Sequence, residues 1–517
     1  MLDLFNSACS WEHLPLRETA YVSSANDSPI ERCQLRIQTC FALTLTALLS
    51  AGPFKVAQSA DTTTQSEART ALQRAVSFFR TRVSTQGGYL WRYSADLQRR
   101  EGEGLAGIHT AWVQPPGTPT VGQTYLKAYN RTHEPCLLAA ALETGEALLK
   151  GQLHSGGWDY RIEFGPATRT RYAYRVDGKK LEKRNVTTLD DNTTQSAVQF
   201  LIQLDKTLRF KNPEIHSGAR FALEQLLRAQ YPLGAWPQRY DRFPDPARFP
   251  VLTANYPSSW SRQFPKLNYR TYYTFNDNTI ADMITTMFLA SRVYEEPRYF
   301  AAAERAGDFI IAAQMPMPQP AWAQQYNAKM QPAWARKFEP PAVTGGESQG
   351  VLRTLLALFR HTGNSKYLAP IPTALKYLER SQLENGQLAR FYELQTNRPL
   401  YFNRNYELTY DDSDLPTHYG FKVNSQLDSI RQTYEHLLAT PNPVAPDPAS
   451  NPPIRLTERL QHSAHTIVKA LNQDGAWIEP GQLKYQKQAS PTQSIINVRT
   501  FIRNVDILSR YVSAQRP

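Results

Sequence analysis

The strongest constraint on the fold is a recurring phrase in which small residues precede a large apolar side chain. It stands at Gly87-Gly88-Tyr89-Leu90-Trp91, Gly156-Gly157-Trp158, Gly234-Ala235-Trp236, Pro320-Ala321-Trp322, Gly386-Gln387-Leu388 and Gly475-Ala476-Trp477. Successive phrases lie of the order of 65–90 residues apart, room for two helices of ordinary length and their loops. Between them, stretches such as Pro135–Lys150 and Gln349–His361 carry Leu and Ala at helical spacing, and few windows alternate with period two. Six helix pairs without a strand-rich section predict an all-α chain wound as an α/α toroid, a six-hairpin α/α barrel with long rim loops at Thr168–Asn185 and Tyr240–Arg270. The basic stretch Arg169–Arg184, with Tyr172, Tyr174 and Val176 interleaved, is expected to form a small surface hairpin. A tryptophan at such a turn is expected to plug the space between helix pairs. Trp236 is the exception, because it opens the longer polar phrase Trp236-Pro237-Gln238-Arg239-Tyr240.

Two helix starts share a triplet. Asp277-Asn278-Thr279 precedes Ile280, Met283, Ile284, Met287 and Phe288, one apolar face of a helix. Asp191-Asn192-Thr193 precedes Val198, Leu201 and Ile202 in the same way, with Asp190 just before it. One reading makes Asp277 or Asn278 an ordinary N-cap. The other gathers the carboxylates at one end of a helical array.

The first residues read as an export leader. Arg32 and Arg36 precede an apolar run from Cys40 to Leu49, and Ala57-Gln58-Ser59-Ala60 has the small-residue pattern of a cleavage site. The run is too short to span a bilayer. The expected organisation is a leader and N-terminal extension at 1–60, N-terminal helical repeats at 61–185, a catalytic region at 186–430 and a C-terminal helical region at 431–517 that closes the toroid. The expected location is the medium or the periplasm. Beyond residue 60 the chain has 54 basic and 41 acidic side chains, a formal +13. That charge suits a polyanionic partner, and the absence of zinc-finger, RNP or helix-turn-helix signatures turns the expectation away from nucleic acid. Of four cysteines only Cys136 lies beyond the leader, which leaves no intrachain disulfide framework. The processed chain is expected to be a monomer with no membrane association.

Several phrases together resemble the family 10 polysaccharide lyases, the pectic acid lyases. They are Gly234-Ala235-Trp236-Pro237-Gln238-Arg239-Tyr240, Thr274-Phe275-Asn276-Asp277, Trp334-Ala335-Arg336-Lys337-Phe338-Glu339-Pro340-Pro341 and Glu347-Ser348. Leu388–Pro399, Asn403-Arg404 and Tyr419-Gly420 follow in the family's order, so the resemblance covers about 185–425. There are departures. The family's first aspartate motif reads Thr-Ile-Asp-Asn-Gly-Ala-Thr, where this chain has Thr188-Leu189-Asp190-Asp191-Asn192-Thr193-Thr194. An ungapped alignment gives Asp190 the family aspartate, whereas the internal match to Asp277 favours Asp191. The family's second turn glycine is Ala235, and its cysteine-histidine pair is missing around Trp322–Asn327.

The resemblance implies calcium-assisted β-elimination of polygalacturonate on an α/α toroid. Removing a C5 proton beside a carboxylate is unfavourable until that charge is offset, and a cation held by oxygen ligands does this. The implied ligands of Ca²⁺ are Asp190, Asp191 and Asp277. Arg390 and Arg404 would clamp substrate carboxylates in bidentate fashion, with Trp236, Gln238, Tyr392 and Tyr419 as further substrate contacts. The resemblance assigns proton abstraction to Arg336, although an arginine ordinarily stays protonated; Lys337 is the fallback base. Four other readings remain open at this point. A glycoside hydrolase could recruit two carboxylates from Glu339, Glu347 and Glu393; a lyase could act on another acidic polysaccharide; an inactive homologue could bind acidic glycans. A terpenoid cyclase shares the glycine-tryptophan turns but would need an Asp-x-Asp-Asp phrase, which is absent.

Overall fold

Proline opens and a small-residue turn closes many of the helices. The computed structural model describes residues 56–178, 182–440, 453–486 and 493–515. Its long helices are α1 (Val56–Phe78), α2 (Thr118–Thr132), α3 (Pro135–Lys150), α4 (Thr193–Thr207), α5 (Pro213–Ala229), α6 (Thr279–Tyr294), α7 (Pro297–Ala312), α8 (Gly345–Thr362), α9 (Ile371–Arg380), α10 (Leu427–Ala439), α11 (Glu458–Lys469) and α12 (Val498–Ser513). Pro135, Pro213 and Pro297 stand in the first turns of α3, α5 and α7, where the missing N–H would have no helical partner anyway. The Asn212 side chain caps α5 by accepting from the Ile215 amide at 3.0 Å.

The even-numbered helices form an inner layer, with α12 packed on α2, α2 on α4, α4 on α6, α6 on α8 and α8 on α10. Odd-numbered helices lie outside them: α3 touches α2, α4 and α5, α7 touches α6 and α8, α9 touches α8 and α10, and α11 touches α12. This is the all-α toroid that the spacing predicts. The recurring phrase turns the chain from an outer helix to the next inner one. Gly234 takes φ of +101°, and a Cβ there would overlap the Arg305 backbone of α7. Gly475 repeats this with φ of +92° against Arg74 of α1. Only glycine tolerates that conformation at so close an approach.

The tryptophans behave as spacers. The indole N–H of Trp158 donates to Leu148 O, that of Trp236 to Leu226 O, that of Trp322 to Ile310 O and that of Trp477 to Ile467 O, at 2.8–2.9 Å. Each ties its turn back to the outer helix just completed. Trp236 is no exception to this rule: it is fully buried, and the expectation that it contacts substrate is corrected here. The polar side chains that follow it, Gln238 and Arg239, point instead to Asp190 and Tyr160. Cys136 is half-buried and packs against the core.

The near-absence of strands needs qualification. Short antiparallel ladders line the ends of the helices: Thr110–Trp112 with Arg161–Glu163, Thr187–Thr188 with Arg239–Tyr240, Tyr273–Thr274 with Gln325–Tyr326, and Leu388–Ala389 with Lys422–Val423. A four-stranded sheet joins Ala342–Thr344, Phe391–Glu393, Pro399–Phe402 and Leu408–Thr409. Ladders of two to four residues are too short to print a period-two pattern on the sequence. The described residues of the stretch Arg169–Arg184 form no hairpin: a helical turn, Pro166–Arg169, leads into it, a 3₁₀ turn, Arg175–Asp177, follows, and Tyr172 and Arg184 make a parallel bridge. The apolar run Cys40–Leu49 lies outside the described residues, and among those described no helix is long and apolar enough to cross a membrane.

Candidate active site

The twin triplets fold into twin turns. Thr187–Thr188 and Tyr273–Thr274 each lead into one 3₁₀ turn before an inner helix, α4 or α6. Asp191 and Asn192 take φ of 51° and 56°; Asp277 and Asn278 take 47° and 59°. Asn and Asp are the non-glycine residues that enter this left-handed region most readily. No side chain at Asn192 or Asn278 caps its helix, so the ordinary N-cap reading does not hold. The turned backbone instead throws the preceding aspartate across the helix end. The match extends to the partners. Leu189 N donates to Gln238 O and Phe275 N to Gln324 O, both at 2.8 Å. Gln238 Nε2 then donates to Asp190 Oδ1 at 3.0 Å, and Gln324 Nε2 to Asn276 Oδ1 at 2.5 Å. Asp191 is therefore the structural counterpart of Asp277, and Asp190 that of Asn276.

All three aspartates converge: one carboxylate oxygen from each of Asp190, Asp191 and Asp277 lies within 4.8 Å of the others. Asp190 is buried and well held, by Tyr160 Oη at 2.7 Å, Gln238 Nε2 and Arg239 Nη2 at 3.4 Å. Asp191 accepts from Gln114 Nε2 at 2.9 Å, while Asp277 faces the open side. Burial, then the field of Asp190, raises Asp191 to a pKa of about 6. Burial followed by the charges of Asp190 and Asp191 raises Asp277 to about 7. The donor set is all oxygen, and the buried Asn192 Oδ1 beside it has no hydrogen-bond partner. Crowded carboxylates with hard oxygen donors fit Ca²⁺.

A basic wall stands next to this cluster. Gln324 Nε2, already on Asn276, also donates to Glu339 Oε1 at 3.0 Å. Glu339 Oε1 in turn accepts from Arg336 Nη2 at 2.5 Å and from Tyr419 Oη at 3.1 Å. Burial works to lower the pKa of Arg336, but the hydrogen bond and charge of Glu339 outweigh it and hold the guanidinium above its ordinary value. Arg390 stacks on Tyr419, 4.7 Å from the ring centre, and donates to Glu347 Oε1 at 2.8 Å and Gly420 O at 2.6 Å. A cavity of ≈ 270 Å³ is lined by Asp277, Asn278, Glu347, Arg353 and Arg390 together. Arg390 sits between two buried strands, Leu388–Ala389 and Phe391–Glu393, which fix its direction.

Other expected residues fall elsewhere. Tyr392 is buried, donating to Ser381 O and accepting from Ala389 N at 2.9 Å. Its expected substrate contact is corrected to a core contact, because both of those partners are buried backbone groups of the same turn and strand. Arg404 is a surface residue whose side chain is 70% exposed and paired with Asp414 at 3.1 Å. Lys337 is exposed and lies over the Tyr406 ring at 3.2 Å. Glu339, Glu347 and Glu393 are each ion-paired, to Arg336, Arg390 and Arg262, which leaves no pair of them free for acid and base work. The sequence reading passed over Tyr160, Gln114 and Gln324. One signal for Tyr160 and Gln324 was available: each stands two residues after the turn tryptophan, as Gln238 does, and that position faces the aspartate turns.

Residues 152–387 match the family described as pectic acid lyase. No curated protein matches the chain. Among solved structures, a variant of the family 10 polysaccharide lyase from Cellvibrio cellulosa in complex with trigalacturonic acid is similar at 22% identity, covering 62% of this chain and 98% of that one, with a TM-score of 0.43. A D-mannose isomerase is similar at 12% identity, covering 89% and 99%, with a TM-score of 0.42. The cellobiose 2-epimerase from Spirochaeta thermophila is similar at 14% identity, covering 66% and 76%, with a TM-score of 0.40.

Proposed function

We propose, for a chain whose residues 152–387 match the pectic acid lyase family, that it is an exported enzyme cleaving polygalacturonate by calcium-assisted β-elimination. The single observation that carries this reading is the convergence of Asp190, Asp191 and Asp277 within 4.8 Å, joined through Asn276, Gln324 and Glu339 to Arg336. Asp190, Asp191 and Asp277 would hold the cation. A divalent cation there supplies Lewis-acid neutralisation of the uronate carboxylate next to the proton that must leave.

The protein's own groups do the rest. Arg390, with two donors already fixed by Glu347 and Gly420 O, presents its remaining edge to a neighbouring uronate carboxylate from the wall of the cavity that Asp277 also lines. Arg336 takes the C5 proton. The C5–H electron pair becomes the C4–C5 double bond, the C4–O bond breaks, the departing oxygen takes a proton from water to become the new chain end, and Arg336 returns the C5 proton to solvent. For this step Arg336 must be neutral, against the pull of Glu339. Positive charge at the aspartates and hydrogen bonds from Tyr419 and Gln324 to Glu339 weaken that pull, and the rate should rise toward alkaline pH. The decisive assay mixes purified residues 61–517 with polygalacturonate, with and without calcium, and follows ultraviolet absorbance of the unsaturated product. Depolymerisation without that absorbance would mean hydrolysis and refute the reading.

A further inference from the structure

A further arginine is tied to the aspartate cluster through Asp191, which is not among the residues lining the Arg390 cavity. Arg161 begins the strand Arg161–Glu163, one residue after the Tyr160 that holds Asp190. It pairs in register with Trp112, and its guanidinium carbon lies over the Trp112 ring, 5.0 Å from the centroid. Gly102 packs so closely on that ring that a Cβ there would overlap the indole, and Trp112 is 3% exposed. Trp112 is therefore a buried plate with no open face for a sugar, and its service is to hold the guanidinium still. The plate is wired to the cluster. Trp112 Nε1 donates to Gln114 Oε1 at 2.9 Å, and Gln114 Nε2 donates to Asp191 Oδ2 at 2.9 Å. The Trp91 indole donates to Gln114 O at 3.0 Å and fixes the same residue from behind.

Arg161 differs from the other arginines around the site in what it lacks. Arg239, Arg336, Arg390 and Arg184 are each ion-paired, to Asp190, Glu339, Glu347 and Asp159. Among the described residues the Arg161 guanidinium makes no hydrogen bond or ion pair, and none of its nitrogens is buried without a partner. Its planar edge of donors is thus both immobilised by stacking and open to solvent. Immobilisation lowers the entropy lost when a bidentate acceptor binds.

We propose that Arg161 is a carboxylate-reading subsite for a uronate on the Asp191 side of the cut, so that the acidic chain runs from Arg161 across the three aspartates to Arg390. The assignment rests on the polygalacturonate reading above. Its consequence is a preference for longer chains, because only a chain that spans the cluster engages both arginines. The test compares trigalacturonate with hexagalacturonate in wild type, Arg161→Gln, Arg161→Lys and, as a control, exposed Arg171→Gln. Loss of one charge-assisted bidentate contact should lower the hexamer-to-trimer ratio of kcat/KM about tenfold in Arg161→Gln. Arg161→Lys should recover part of that loss and Arg171→Gln should show none, with melting temperatures unchanged. A ratio that stays at the wild-type value overturns the proposal, including the case where both substrates suffer equally and the protein melts earlier. If wild type releases no unsaturated product at all, the lyase reading fails instead. Retardation in gels containing polygalacturonate then decides Arg161: equal mobility of wild type and Arg161→Gln overturns the subsite, and faster migration of the variant supports it.

Discussion

Asp191→Asn should make the cation-free protein more stable while removing its function. Three carboxylates within 4.8 Å repel one another, and at an effective dielectric of ~20 each pair near 4 Å costs about 4 kcal/mol before screening. The rise of Asp191 from 3.8 to about 6, caused by burial and then by Asp190, corresponds to at most about 3 kcal/mol at ~1.4 kcal/mol per tenfold change in proton affinity. Asp191 is only partly buried, so solvent screening reduces this to about 1–2 kcal/mol. The sign follows from linkage. A carboxyl whose folded pKa lies above its unfolded value imposes no cost below about pH 4, where both states are protonated. The cost grows through the interval up to pH 6 and is complete above it. Asparagine keeps an acceptor for Gln114 Nε2, enters the left-handed conformation at least as readily, and carries no charge. Thermal unfolding in a chelator at pH 8 should show the variant melting about 1–2 °C above wild type, and the gain should vanish near pH 4. Added calcium should reverse the order at pH 8, because wild type is stabilised by binding and the variant much less. A variant that melts below wild type in chelator at pH 8, or a gain of equal size at pH 4, would refute the argument from charge crowding.

Arg336→Ala and Arg336→Lys should each lower kcat by several orders of magnitude with KM largely kept, whereas Lys337→Ala should retain most activity; steady-state kinetics on polygalacturonate would sink the assignment if Lys337→Ala were dead and Arg336→Lys active. Arg390→Lys should weaken trigalacturonate binding about tenfold, because an ammonium cannot reproduce the fork held by Glu347 and Gly420 O. Arg404→Lys, by contrast, should leave it within about twofold, the effect expected of an exposed pair, and calorimetry giving equal losses at both positions would contradict this division. Trp236→Ala should cost about 3–5 kcal/mol of stability by leaving a cavity and an unpaired Leu226 carbonyl, read as a fall in denaturation midpoint; a variant of unchanged stability with impaired binding would return Trp236 to the substrate.

Much of the site was legible because two of its determinants are local. A small-residue turn before a large apolar side chain and an Asp-Asn pair before a helix act through their own backbone, glycine by entering +101° at Gly234 and asparagine by entering 59° at Asn278. Their repetition along the chain therefore reported six turns and two aspartate-bearing helix starts without any knowledge of packing. The motifs around Arg336 and Arg390 were legible in a different way, through their resemblance to a family.

The destination of each side chain was not legible, since it depends on atoms far away in sequence. Asp191 meets Asp277 only because α4 and α6 are neighbours in the inner layer. Trp236 and Tyr392 sit in phrases as polar as those of Gln238 and Arg390, yet both turn inward, to Leu226 O and Ser381 O. Arg404 meets Asp414 at the surface, and Arg161 lies over Trp112 through a ladder too short to mark the sequence. By itself the sequence determined backbone conformations and their order. Only the tertiary structure decided which charges face one another, because a carboxylate or guanidinium is defined chemically by its partners, and folding chooses those.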